Sequence, residues 1–170
     1  AVDPAFYGQL SSKDHEFMAS EYADKLKWLK DDYENIYDPD YNDMLRVSFM
    51  HQFGRGKLGD LVSLLSGRDF IERTFKEEIA QESFEKLTAG VINFMNKYTF
   101  EQFVLAIKSA GFINPKQLNS KMTLDFAYTL YLLLNSDKEF PKVEIKPCVQ
   151  KWFILSTLTG RYIGSPESQM

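Results

Sequence analysis

From Met122 to Leu134 the chain is apolar on nearly every side of a helix. A helix without a polar face has no side to turn to water, so it has to be central and covered by other helices. This one segment constrains the chain more than any other. It predicts an all-α fold, a compact multi-helix bundle of about seven or eight helices packed around it.

The rest of the sequence supplies the cover. Ser11 or Ser12 caps a helix with Asp14 and Glu16 in its first turn, and Met18, Tyr22, Leu26, Leu29, Tyr33 and Ile36 recur at spacings of three and four. Asp38-Pro39-Asp40 stops that helix and starts a second, in which Tyr41, Leu45, Ser48 and Phe49 face one way and Asp43 can pair with Arg46 along its surface. A short apolar helix over 58–65 is closed by Gly67. A charged helix is predicted over 68–80. Phe84, Leu87, Val91, Phe94, Met95 and Tyr98 form the next stripe. Thr99 then caps a helix that buries Phe100, Phe103, Val104 and Ile107 and ends at Gly111. The last helix, 143–158, accommodates Pro147 if that residue lies near its start, and it ends at Gly160. No alternation of apolar and polar residues over four or more positions competes with this reading.

A chain of 170 residues suits one domain, and 44% hydrophobic residues are enough for a substantial core. With 14 Phe and 9 Tyr, much of that core should be aromatic. The expected organisation is a cloning scar or linker at 1–10, a helical domain at 11–160 and a truncated polar tail at 161–170. The single Cys148 leaves no partner for an internal disulfide and no cysteine set for zinc. No stretch approaches the roughly 18 uninterrupted apolar residues of a membrane span. No signal peptide is visible, and a cytoplasmic protein without a membrane partner is expected.

Candidate chemistry is sparse. His15 and His51 are the only histidines, and neither belongs to an HExxH pattern or has a second histidine at ligand spacing. Both read as structural or surface residues. The clusters Asp31-Asp32-Glu34 and Glu77-Glu78 read as solvated helix faces. Gly54-Arg55-Gly56-Lys57 lacks the phosphate-loop spacing and reads as a connector. No catalytic residue, cofactor or metal ligand is therefore expected. Charge is nevertheless segregated in a chain of net charge −4. Residues 13–34 carry −3, while 142–161 carry +3 from Lys142, Lys146, Lys151 and Arg161 against Glu144. Trp152, Phe153 and Tyr162 interleave with those cations, a combination able to bind nucleic acid by phosphate contact and stacking.

Several strings together resemble one known group. They include Tyr37-Asp38-Pro39 with Leu45-Arg46, Arg55-Gly56-Lys57-Leu58, and 60–68 ending in Ser66-Gly67-Arg68. Ser109-Ala110-Gly111-Phe112, Phe126-Ala127-Tyr128 and Tyr131-Leu132 follow. The most specific are Trp152-Phe153, Thr159-Gly160-Arg161-Tyr162 and Gly164-Ser165-Pro166-Glu167-Ser168. From about residue 37 onward the chain resembles the helical region of the domain-of-unknown-function 262 family, related to the GmrSD-type restriction endonucleases. The resemblance implies a bacterial protein of defence against foreign DNA. In that group a ParB/sulfiredoxin-like nucleotide-hydrolysing region with an Asp-Gly-Gln-Gln-Arg motif lies at the N-terminus, and some members add an HNH-type nuclease domain. Neither motif occurs here, so the family's catalytic residues have no counterpart in this chain.

Two expectations follow. In the first, the chain is a non-catalytic helical scaffold whose partners are the flanking domains of its parent. Arg161 would then bond helix C-terminal carbonyls, and Glu167, after Ser165-Pro166, would cap a following helix. In the second, the chain contacts DNA through one basic, partly aromatic surface made by Lys57, Arg68, Lys151, Arg161 and Tyr162.

Overall fold

The computed structural model describes residues 22–68, 74–112, 114, 117–118 and 120–162. The predictions for Ser11, Ser12, His15, Ser165 and Glu167 fall outside them. The described residues form seven helices: α1 (22–30), α2 (Tyr41–Phe53), α3 (Leu58–Leu65), α4 (Glu77–Phe94), α5 (Lys97–Ser109), α6 (Met122–Ser136) and α7 (Lys142–Leu158). Among these residues the only β feature is an isolated antiparallel bridge between Arg68 and Phe75.

The apolar segment is the centre, as its composition demands. In α6 every residue from Thr123 to Thr129 is buried. It packs against α7, α2 and α5; α2 in turn carries α4 and α3 on its other side, and α5 also meets α7. The core between these layers is aromatic. Tyr37, Phe94, Phe100, Phe103 and Tyr128 are all fully buried. Tyr128 lies edge-on to Phe94 at 5.2 Å and to Phe100 at 5.7 Å, the geometry that ring quadrupoles favour. A smaller cluster of Phe49, Leu61 and Leu87 joins α2, α3 and α4.

The helix ends follow local chemistry. Asp40 and Asp43 form a capping box: the Asp43 N–H donates to Asp40 Oδ1 at 3.0 Å, and the Asp40 N–H donates to Asp43 Oδ2 at 2.8 Å. After α3 and α7 the chain turns through a left-handed glycine, Gly67 at φ 86° and Gly160 at φ 61°. Past each glycine the next N–H reaches back into the helix, Arg68 to Ser63 O and Arg161 to Ser156 O.

Several predicted elements shift. The first stripe leaves the α-helix after residue 30 and continues as turns through 36, yet Ile36 and Tyr37 are still buried. Of the charged helix predicted over 68–80, residues 69–73 lie outside the described ones; Arg68 bridges Phe75, the Lys76 N–H bonds Gly67 O at 2.8 Å, and α4 starts at Glu77. Asn96, not Thr99, caps α5: its side chain accepts from the Thr99 N–H. In α4 the buried line is Ser83, Leu87, Gly90 and Phe94, while Phe84 and Tyr98 of the expected stripe are 64% and 71% exposed. The reason is Gly90, whose bare backbone lies against Ser48 of α2 and turns that side of α4 inward. Pro147, expected near the start of the last helix, is the sixth residue of α7, beyond its first turn, and sits on the exposed side.

Candidate functional site

A dense gathering of ionisable groups lies where the turn before α2, α2 itself and the start of α6 meet. It begins with an acid inside the apolar helix. Asp125 is fully buried in α6. A carboxyl group in such a place needs partners, since an isolated buried charge is prohibitively expensive. The Tyr37 hydroxyl donates to Asp125 Oδ1 at 2.9 Å. Arg46, one turn into α2, holds Nη1 at 3.6 Å from Asp125 Oδ2 and at 3.6 Å from Asp43 Oδ1. These are ion-pair distances, too long for hydrogen bonds. Among the described residues Asp125 Oδ2 and Arg46 Nε have no hydrogen-bond partner, although both atoms are buried.

Toward the surface the same seam continues through Lys121. Its Nζ lies 2.5 Å from Asp43 Oδ2 and 3.8 Å from Asp40 Oδ2. The capping residues of α2 are therefore also the anions that hold the residue preceding α6. Lys30, at the end of α1, pairs with Asp38 and donates to Pro39 O at 3.3 Å, which ties α1 to the same turn.

The environments push the groups apart. Burial, reinforced by the Asp43 carboxylate, raises the Asp125 carboxyl to about 8. Burial and then Asp125 raise the Tyr37 phenol well above its usual range. Asp40 goes the other way: burial opposes ionisation, but the Asp43 N–H and the Lys121 ammonium hold its carboxyl below the ordinary value. Lys121 is raised, its burial outweighed by Asp43. The arrangement contains three carboxyl groups and two cations, a composition that clamps helices together.

The seam has a shallow open depression on each side of the Asp38–Asp40 turn. One, of about 190 Å³, is lined by Glu34, Ile36, Asp38, Leu118, Lys121 and Leu124. The other, of about 300 Å³, is lined by Ala23, Leu26, Lys30, Pro39, Asp40 and Tyr41. Asp125 and Arg46 line neither. Among the described residues no group of three or more His, Cys, Asp or Glu side chains is placed to hold a metal ion. No helix among them is long and apolar enough to cross a membrane.

His51 acquires a neighbour that sequence reading did not offer. Its Nε2 is 3.3 Å from the Ser136 hydroxyl, and its Nδ1 is 3.0 Å from the Gln52 amide nitrogen. The Ser136 hydroxyl gives its own proton to Leu132 O at 2.8 Å. Gln52 therefore donates to Nδ1, and Nε2–H donates to Ser136. That is the reverse of the direction in which a histidine base takes a proton from a serine. Burial lowers the His51 pKa, so the ring is a neutral bridge between the ends of α2 and α6.

The residues of the predicted basic surface lie on and beside different helices. Lys57 and Arg68 stand at opposite ends of α3, which packs on α4 and α2. Lys151 and Arg161 are exposed on and after α7, which packs on α6 and α5. Tyr162 is only 5% exposed, its ring stacked on Phe126 at 4.3 Å, and so presents no open face to a base. The Arg161 guanidinium lies 5.8 Å over the Tyr162 ring, while its backbone N–H, not its side chain, donates to the helix carbonyl of Ser156 at 3.1 Å.

Sequence reading found Asp43–Arg46 but placed it on the surface, and it passed over Asp125 and Lys121. The available signal for Asp125 was a lone acid within an otherwise apolar helix. Compared with protein-family models, with curated proteins and with solved structures, the chain matches none of them.

Proposed function

We propose that the chain is a non-catalytic helical scaffold domain of a bacterial, cytoplasmic DNA-defence protein of the restriction type, holding flanking domains in register. The observation that supports this reading is the seam itself. Tyr37, Asp40, Asp43, Arg46, Lys121 and Asp125 come from segments up to 88 residues apart, and they engage one another. Side chains arranged in this way fix helices relative to one another. The strings that resemble the restriction-type group, Tyr37-Asp38-Pro39, Leu45-Arg46 and Phe126-Ala127-Tyr128, run through or beside this seam.

The test uses the intact parent protein. Arg46→Ala should lower its melting temperature and its activity together, whereas Lys151→Ala with Arg161→Ala should change neither. Loss of activity in the double variant at an unchanged melting temperature would overturn the scaffold reading. It would favour the runner-up, direct DNA contact by Lys151 and Arg161, which also requires a mobility shift that weakens steeply with salt.

A further inference from the structure

Asp125 faces charged or titratable groups from three directions. Tyr37 approaches from the turn, Asp43 and Arg46 from α2, and Lys121 from the segment before α6. The other helices on α6 bring aromatic contacts: Phe103 of α5 packs on Tyr128, and Tyr162, beyond α7, stacks on the neighbouring Phe126. If every acid in the seam were ionised, Asp40, Asp43 and Asp125 would outnumber Arg46 and Lys121 by one charge. A single proton makes the cluster neutral.

Geometry decides which acid carries it. Asp43 has the Lys121 ammonium at 2.5 Å and the Asp40 N–H at 2.8 Å. Asp40 accepts from the Asp43 N–H and reaches solvent. Asp125 is fully buried and takes no hydrogen bond from a cation; among the described residues its one side-chain donor is the neutral Tyr37 hydroxyl. We propose that the closed seam holds Asp125 as a neutral carboxylic acid, so that opening the seam to water releases one proton and closing it takes one up.

The sign of the linkage follows. In water a carboxyl ionises near pH 4; in the folded chain this one is pushed up to about 8. Between those values the folded state binds the extra proton, so stability falls as pH rises and levels off above about pH 8. Asp125→Asn keeps the shape and the acceptor for Tyr37 but has no proton to lose.

Unfolding of the whole chain by urea, followed from pH 5 to pH 8 for wild type and Asp125→Asn, tests this. From pH 5 to pH 7 the unfolding constant of the wild type should rise by about 100-fold relative to that of the variant, tenfold per pH unit. Titrating groups that do not interact with Asp125, His51 included, are common to both proteins and cancel in the ratio. Parallel curves would overturn the proposal. Should the variant fail to fold, carbon-13 carboxyl shifts of the wild type give the same answer: one aspartate titrating near pH 8 is expected, and all titrating below about pH 6 refutes it. Tyr37→Phe removes the hydrogen bond that favours the ionised form and should move that titration further up; no movement would show that Asp125 is not the group observed.

Discussion

Replacing Gly90 by alanine puts the close approach of α2 and α4 to a quantitative test. A Cβ at this position would stand 2.9 Å from Ser48 O, 2.9 Å from Gln52 Cγ and 3.0 Å from Ser48 Cβ. The Gln52 side chain can swing away. The Ser48 carbonyl cannot, because it belongs to the middle of α2. Relief therefore requires α2 and α4 to separate by several tenths of an ångström along the interface that also buries Phe49, Leu61 and Leu87. Overpacking of this kind costs about 1–3 kcal/mol, while alanine in a helix interior gains about 1 kcal/mol over glycine. The expected net effect is a loss of about 1 kcal/mol, or roughly 2–4 °C in melting temperature for a chain of this size. Gly59 is the internal control. It lies exposed in α3 with only Lys57 Cε near, at 4.0 Å, so Gly59→Ala should raise stability by about 0.5–1 kcal/mol. Chemical denaturation of both variants measures the contrast. If Gly90→Ala is as stable as Gly59→Ala, the α2–α4 approach is not as close as described and the reasoning fails.

Two further outcomes rest on single side chains. Ser48 Oγ is buried without a hydrogen-bond partner among the described residues, so Ser48→Ala should leave stability unchanged or raise it by up to about 1 kcal/mol; a clear loss of stability in urea unfolding would reveal a bond to the hydroxyl. His51 is held below its ordinary pKa by burial, so below about pH 6.5 the unfolded chain takes up a proton that the folded one resists, and stability falls with acidification. His51→Gln should flatten that acid limb relative to the wild type, and identical limbs in the two proteins would exclude His51 as its source.

How much of this was legible in the sequence depends on what fixes each feature. The central position of α6 follows from composition alone. The burial of Phe100, Phe103, Val104 and Ile107 follows from spacing, and the ends at Gly67 and Gly160 follow from backbone chemistry. The face of α4 does not. Its aromatic residue Phe84 is a better core candidate by type than Ser83 or Gly90, but close backbone approach favours small residues, and only the position of α2 reveals that. The seam was legible only within one helix. Asp43 and Arg46 are neighbours on α2, whereas Tyr37 and Asp125 meet across 88 residues.

The acid in the central helix also answers a problem that its composition creates. A helix apolar on nearly every side can rotate in its socket and still bury comparable surface, so apolar packing alone fixes its azimuth weakly. Asp125 removes that freedom. One residue of rotation, about 100°, carries the carboxyl away from Tyr37 and Arg46 and buries it against apolar neighbours. A carboxyl left without its hydrogen bond costs at least 1–3 kcal/mol when neutral, roughly, and more when charged. The same rotation takes the Tyr128 hydroxyl away from Phe94 O, which it bonds at 2.9 Å. The two polar groups stand three residues apart on α6 and are engaged by different elements, Asp125 by the turn and α2, Tyr128 by the end of α4. Only one azimuth satisfies both. The polar atoms that look anomalous in an apolar helix are thus what select a single packing from the several that hydrophobic burial would accept.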